Sequence, residues 1–180
     1  MSSETLTNAA RSESRPATIV IGAGALGLTT GFELARRGAR VTLVDAGAPG
    51  RGALWASGGM LAPGFELSVE TSGDVRAPGL AAFRDLALEA AALWPEFAAR
   101  LEAETAAEIG FAQTGSLTPA FHGREIPRLE AARRRAADFG LAAEMLDAAE
   151  LARLEPGLRP ALDSLRFPRD GQVDARRLGP

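Results

Sequence analysis

Gly22, Gly24 and Gly27, followed 18 residues later by Asp45, are the residues of this 180-residue sequence whose types and spacing point to chemistry. Each glycine answers a separate demand. Gly22 permits a tight turn, Gly24 lets backbone approach a pyrophosphate, and Gly27 allows a helix to pack closely on a strand. Two phosphate charges would then meet the free N–H groups and the positive dipole end of a helix N-terminus, with no lysine required. Asp45 stands where a carboxylate accepts hydrogen bonds from ribose hydroxyls, and the same charge would repel a 2′-phosphate. Three glycines alone are weak evidence in a chain that holds 20 of them. Their surroundings decide the matter.

Those surroundings must be a strand, a turn, a helix and a second strand. Residues 18–21 form a short apolar strand, and positions 28, 32 and 34 give the following helix its apolar periodicity to Arg37, with Gly38 as its stop. Residues 41–44 read as a continuous apolar strand of the kind buried on both faces of a parallel sheet, ending on Asp45. This completes a βαβ dinucleotide site. Residues 46–63 are rich in Gly and Ala, and 64–78 read as a polar connector without periodicity.

Leu80, Phe83, Leu86, Leu93, Phe97 and Leu101 recur at helical spacing, with Pro95 as a kink or a fresh start. Residues 111–121 predict a strand bent toward an edge by Gly115 and Pro119. A basic helix follows over 126–139. Asp147 and Glu150 form a capping box for a short helix over 148–154, and 162–167 predict a last strand before a turn at 169–171.

Composition narrows the partners. With 46% hydrophobic and 24% charged residues the chain is an ordinary globular protein with a real core. A net charge of -3 without a basic stripe argues against nucleic acid or anionic lipid. The absence of cysteine excludes disulfides, thiolate nucleophiles and a cysteinyl flavin link, and the single histidine, His122, excludes a multi-His metal cage. No apolar run has membrane-spanning length, so the expected location is cytoplasmic, with residues 1–16 as a disordered leader. His122 reads as a turn or cap residue, Arg133 to Arg135 as a solvated helix face, and Trp55 as packing. Asp45, Asp147 and Asp174 show no paired-carboxylate spacing.

An NAD domain continues with further parallel strands, whereas this chain leaves for a Gly-rich loop and a long Ala-rich helix, which favours FAD. The segment Arg51-Gly-Ala-Leu-Trp-Ala-Ser-Gly-Gly-Met-Leu-Ala-Pro63 then resembles the glycine oxidase (thiamine-biosynthesis) branch of the D-amino-acid-oxidase-like flavoproteins. Trp94-Pro95, Thr114-Gly-Ser-Leu117, Leu154-Glu-Pro-Gly-Leu158 and Gly171-Gln-Val-Asp174 extend the resemblance over nearly everything from residue 18 onward. It implies an α/β fold: an FAD-binding Rossmann-like βαβ domain with part of an α+β substrate domain. The division expected is 17–78 for the FAD-binding βαβ and the pyrophosphate/flavin loop, and 79–180 for a helical connector and partial substrate domain. The candidate cofactor-binding set is Gly22, Gly24, Ala25, Leu26, Gly27, Asp45 and Ala46, joined through the resemblance by Ala53, Leu54, Gly58, Gly59 and Met60. Leu54 departs from the family pattern, which has a small hydroxyl residue there.

The resemblance further implies oxidation of glycine or another small amino acid to an imine, then to a 2-oxo acid with ammonia. By the same resemblance oxygen is the expected acceptor, yielding hydrogen peroxide, and a homotetramer the expected assembly. The family fold is about twice this length, and its substrate-clamping arginine and active-site tyrosine would lie beyond Pro180. The chain contains no tyrosine. The expectation is therefore a truncated form, inactive by itself, with catalytic residues unassigned and part of the βαβ apolar surface left unburied. A non-catalytic FAD-binding remnant and a sibling D-amino acid dehydrogenase stay open as alternatives.

Overall fold

A computed structural model of the chain describes residues 17–70 and 78–179. The leader expected over 1–16 and the last part of the expected connector, 71–77, lie outside the described residues. The described residues divide into two compact units, one falling within 1–58 and 174–180 and one within 59–173.

In the first unit, β1 (Ala17–Ile21) and β2 (Arg40–Val44) pair in parallel, with Ala17 opposite Arg40 and Ile21 opposite Val44. Between them runs α1 (Ala25–Arg36). Gly38, at φ +91°, ends the helix by donating its N–H to Ala35 O at 2.9 Å, while Ala39 N–H reaches Leu34 O at 3.0 Å. Glycines seat the helix on the sheet: Gly31 is buried, and a Cβ there would press on the Leu43 side chain at 3.3 Å. The unit continues through the one-turn α2 (Ala53–Ala56) and regains the chain at a 3₁₀ turn, Ala175–Arg177.

One expectation is corrected here. β2 is not buried on both faces, since Thr42, Leu43 and Val44 are all exposed. A parallel strand is enclosed only when elements cover both faces of its sheet. Among the described residues α1 covers one face and no third strand joins β1 and β2. Alternation therefore leaves Ile19, Ile21, Thr42 and Val44 on the open face, and Ile21 is 87% exposed.

In the second unit, β3 (Met60–Leu61) pairs antiparallel with β7 (Gly171–Gln172). β4 (Ser116–Ala120), β5 (Glu144–Asp147) and β6 (Asp163–Phe167) form an antiparallel sheet in the order β4-β6-β5. Pro119 sits on the edge strand β4, where a missing ladder donor is tolerated. The basic helix α5 (Ile126–Asp138) lays Leu129, Ala132 and Ala136 on this sheet, against Ala120, Leu165 and Phe167. Their spacing of three and four places them on one helical face. Helix α6 (Ala148–Leu154) carries the expected box: Asp147 accepts Glu150 N–H at 2.8 Å, and Glu150 accepts Asp147 N–H at 2.9 Å. The apolar periodicity around Pro95 resolves into one helix, α4 (Pro78–Thr105).

The polar connector expected over 64–78 is a second correction. Its first part is α3 (Pro63–Phe65), running into a π-helical turn, Glu66–Glu70, in which Leu67 and Ser68 are buried. Phe65, Leu67 and Val69 alternate instead of following helical spacing, so no helix is legible; Phe65 and Val69 pack on the core, and a distant carboxylate holds the main chain. Asp170, 1% exposed, accepts Gly64 N–H at 2.8 Å, Phe65 N–H at 3.1 Å and the Ser116 hydroxyl at 2.6 Å. It thereby satisfies the donors that open the helix.

Candidate functional site in the first unit

The glycine turn leaves β1 with Gly22 at φ +100°, a conformation that favours glycine, and Gly22 N–H extends the sheet ladder to Val44 O at 2.7 Å. Gly27 is required by packing, because a Cβ there would collide with the Gly22 carbonyl. Gly24 is different. Its φ of −83° suits any residue, and a Cβ would meet no protein atom within 4 Å. Neither backbone strain nor packing demands glycine at 24, which leaves open space over the main chain at the start of α1.

The donors beside that space are unclaimed by side chains. Gly24 is the N-cap of α1 and offers no capping group, and the first turn contains no acid. A pyrophosphate fits such an end, being an acceptor-rich anion facing orphan N–H groups and the positive helix dipole. Ala25 and Leu26 belong to this first turn, and Leu26 is 86% exposed.

Asp45 lies directly after β2. Its Oδ2 accepts Ala23 N–H at 2.7 Å and its Oδ1 accepts Gly47 N–H at 2.8 Å. The N–H of Ala23 and then that of Gly47 hold the exposed carboxyl below its ordinary value of 3.8 against a smaller opposing effect of desolvation, with the Ala46 N–H adding least. The acid is therefore ionised and pre-oriented at the mouth of the turn. Ala23 also accepts the Gly50 N–H at 2.7 Å, so one buried alanine connects the turn, the acid and the following loop.

The loop residues Ala53 and Leu54 lie in α2, and Gly58 is exposed with open space where a Cβ would be. Leu54 has no hydroxyl to offer, and its carbonyl already accepts the Ser57 hydroxyl at 2.9 Å and the Ser57 N–H at 3.2 Å. Gly59 and Met60 belong to the second unit: Gly59 is buried with its carbonyl accepting Val173 N–H at 2.9 Å, and Met60 opposes Gln172 in β3–β7. Sequence reasoning passed over Ala23 and Gly50. An alanine inside G-x-G carries no chemical signal, and its importance is entirely in its backbone bonds.

The other singled-out residues take structural places. His122 precedes the 3₁₀ turn Gly123–Glu125, where Glu125 accepts Phe121 N–H at 2.7 Å and His122 N–H at 3.1 Å. Asp174 accepts Arg176 N–H at 3.0 Å. Arg133 and Arg134 are exposed on α5. In the second unit a cavity of about 380 Å³ is bounded in part by Leu88, Gln113, Leu141, Phe167 and Asp170; its carboxylate is the one occupied by Gly64, Phe65 and Ser116. Among the described residues no acidic or histidine cluster could hold a metal, and no helix is long and apolar enough to cross a membrane.

Known proteins similar to this chain include glycine oxidases. Glycine oxidase of Geobacillus kaustophilus is 30% identical over 158 residues, 87% of this chain and 39% of that protein. The crystal structure of a glycine oxidase from the same organism matches with a TM-score of 0.75 and 31% identity, covering 90% of this chain and 41% of that one. A bifunctional ThiO/ThiG protein of Trichormus variabilis is 28% identical over 161 residues, 89% of this chain and 22% of that protein. The chain thus spans well under half the length of these relatives. The family pattern described as FAD dependent oxidoreductase matches residues 17–180, and the chain belongs to that family.

Proposed function

We propose that this chain supplies the ADP-binding clamp of an FAD-dependent amine oxidase acting on glycine or another small amino acid, in thiamine (thiazole) biosynthesis. The observation that carries the cofactor part is Gly24: a glycine that the protein's own packing and backbone do not require, at the uncapped start of α1, with ionised Asp45 on the neighbouring strand end. The substrate part is supported by the glycine oxidase and ThiO/ThiG relatives. The cofactor-binding residues proposed are Gly22, Gly24, Ala25, Leu26, Gly27, Asp45, Ala46, Ala53, Leu54, Gly58, Gly59 and Met60.

In this reading bound FAD would supply the two-electron oxidation of the amine to an imine, with oxygen as the final acceptor. The chain's own residues bind and orient. The first turn of α1 donates to the pyrophosphate, and Asp45 accepts from the adenosine ribose while its charge disfavours a 2′-phosphate.

This chain is titrated with FAD for cofactor binding, and, since it spans well under half the length of its relatives, the full-length protein is assayed for peroxide with glycine, sarcosine and D-amino acids. Amine-dependent peroxide supports the proposal. FAD binding with dye reduction in place of peroxide moves the assignment to an amino acid dehydrogenase. FAD binding with neither signal makes it a non-catalytic nucleotide-binding protein, and absence of FAD binding refutes the cofactor reading itself.

A further inference from the structure

Arg51 and Arg176 have no carboxylate partner among the described residues, whereas Arg36 and Arg37 share Glu33 and Arg177 pairs with Asp174. Both converge on one indole. The Arg51 guanidinium carbon lies 3.6 Å from the Trp55 ring centroid, and that of Arg176 lies 5.6 Å from it. Trp55 is half-buried while both arginines are exposed.

Backbone features build this convergence. The 3₁₀ turn Ala175–Arg177 packs on α2, with Ala175 buried and Asp174 capping the Arg176 N–H. Gly50 is in close contact with Gly179, and a Cβ on either would strike the other's backbone. Gly50 also donates to Ala23 O at 2.7 Å, so Arg51 begins one residue from the glycine turn. The segment that carries Arg176 is thereby tied, through Gly179, to Gly50, whose N–H is bonded to the glycine turn at Ala23.

The charge balance there calls for cations. A dinucleotide pyrophosphate delivers two negative charges near Asp45, which is itself ionised, and a helix end offsets only about half a unit charge. The first turn of α1 has no basic residue. A guanidinium stacked on an aromatic face keeps the N–H donors at its edge free, in the planar fork that matches phosphate.

We propose that Arg51 and Arg176, held against Trp55, form a two-arginine clamp on the pyrophosphate of the bound dinucleotide. This rests on the FAD reading and extends it to residues outside the glycine fingerprint.

The test titrates the chain with FAD and with ADP at low and high salt, using flavin fluorescence and calorimetry. Arg51→Gln and Arg176→Gln should each weaken both ligands about tenfold at low salt. The wild-type advantage should shrink as salt rises, and Arg51→Lys should keep more affinity than Arg51→Gln. Thermal melts and near-ultraviolet dichroism of the ligand-free variants report whether Trp55 and the fold are intact. If Arg176→Gln unfolds, the comparison of Arg51→Lys with Arg51→Gln still decides. Intact variants with wild-type ADP affinity and salt dependence overturn the clamp and leave the FAD reading standing. A wild-type chain that binds neither ligand overturns both.

Discussion

The Asp45 carboxylate and the Ala23 amide, 22 positions apart, are joined by a 2.7 Å hydrogen bond. The acid proposed to meet the ribose therefore also fixes the turn proposed to meet the pyrophosphate. Asp45→Ala should weaken FAD binding about tenfold or more, by loss of ligand contacts and of turn geometry together. Asp45→Asn, which keeps one acceptor, should fall between it and wild type. Flavin fluorescence titration reads the difference, and unchanged affinity in Asp45→Ala would remove this residue from the site.

The acid response of the fold has a defined sign. Backbone amides hold Asp45 below 3.8, and those of Phe121 and then His122 hold Glu125 below 4.5, so both folded values are depressed. The stabilisation they provide is complete above those ordinary values and is lost as pH falls through the lower folded ones. Thermal melts should be flat between about pH 5.5 and 8 with respect to these groups and decline below about pH 4.5. Asp45→Asn should flatten part of that decline. An undiminished acid slope in this variant would contradict the assignment.

Two glycines of one motif should respond oppositely. Gly24→Ala enters open space at an ordinary φ, so ligand-free stability should stay within about 0.5 kcal/mol of wild type. FAD affinity should fall sharply, because the methyl group occupies the approach to the backbone. Gly27→Ala collides with the Gly22 carbonyl and should cost about 1–3 kcal/mol before any ligand is added. Melting curves with and without FAD separate the two, and a Gly24→Ala protein that binds FAD normally would refute the ligand explanation for that glycine.

Much of this was legible locally. The βαβ unit, the Gly38 stop and the Asp147–Glu150 box follow from short-range pattern, because turn geometry and capping are written within four residues. The apolar run of β2 by itself reads as buried on both faces; its exposure follows only from the absent sheet partners that the resemblance implied, since burial depends on what else the sheet packs against. β5 was not legible, because its four residues Glu144–Asp147 lack alternation and are strand only through pairing with β6. At the site, Asp45 and the glycines were legible by spacing. Ala23 was hidden because its contribution is main-chain. Arg51 and Arg176 were hidden as a pair because 125 positions separate them and only the fold brings both to Trp55.

Asp170 should be a stability determinant of the second unit. Replacing it with Ala orphans the Gly64 and Phe65 amides and the Ser116 hydroxyl in a buried setting, at a cost of about 3 kcal/mol or more. Denaturant unfolding of Asp170→Ala would measure this. A loss below about 1 kcal/mol would mean that water readily replaces the carboxylate.

The Gly64–Asp170 bond also dictates an order of events during synthesis. It spans 106 positions, and β3 likewise waits for β7. On a ribosome the sheet β4-β6-β5 can assemble from residues 116–167, with Phe65 and Val69 packing on its core, while the long-range main-chain bonds of residues 60–65 are still unmade, because their partners emerge only at 170–172. Long-range closure of this kind carries a large loop entropy and comes late. Nascent-chain force profiles should accordingly show one release after residue 167 has left the exit tunnel and a second only after residue 172. A single early release would place the closure elsewhere.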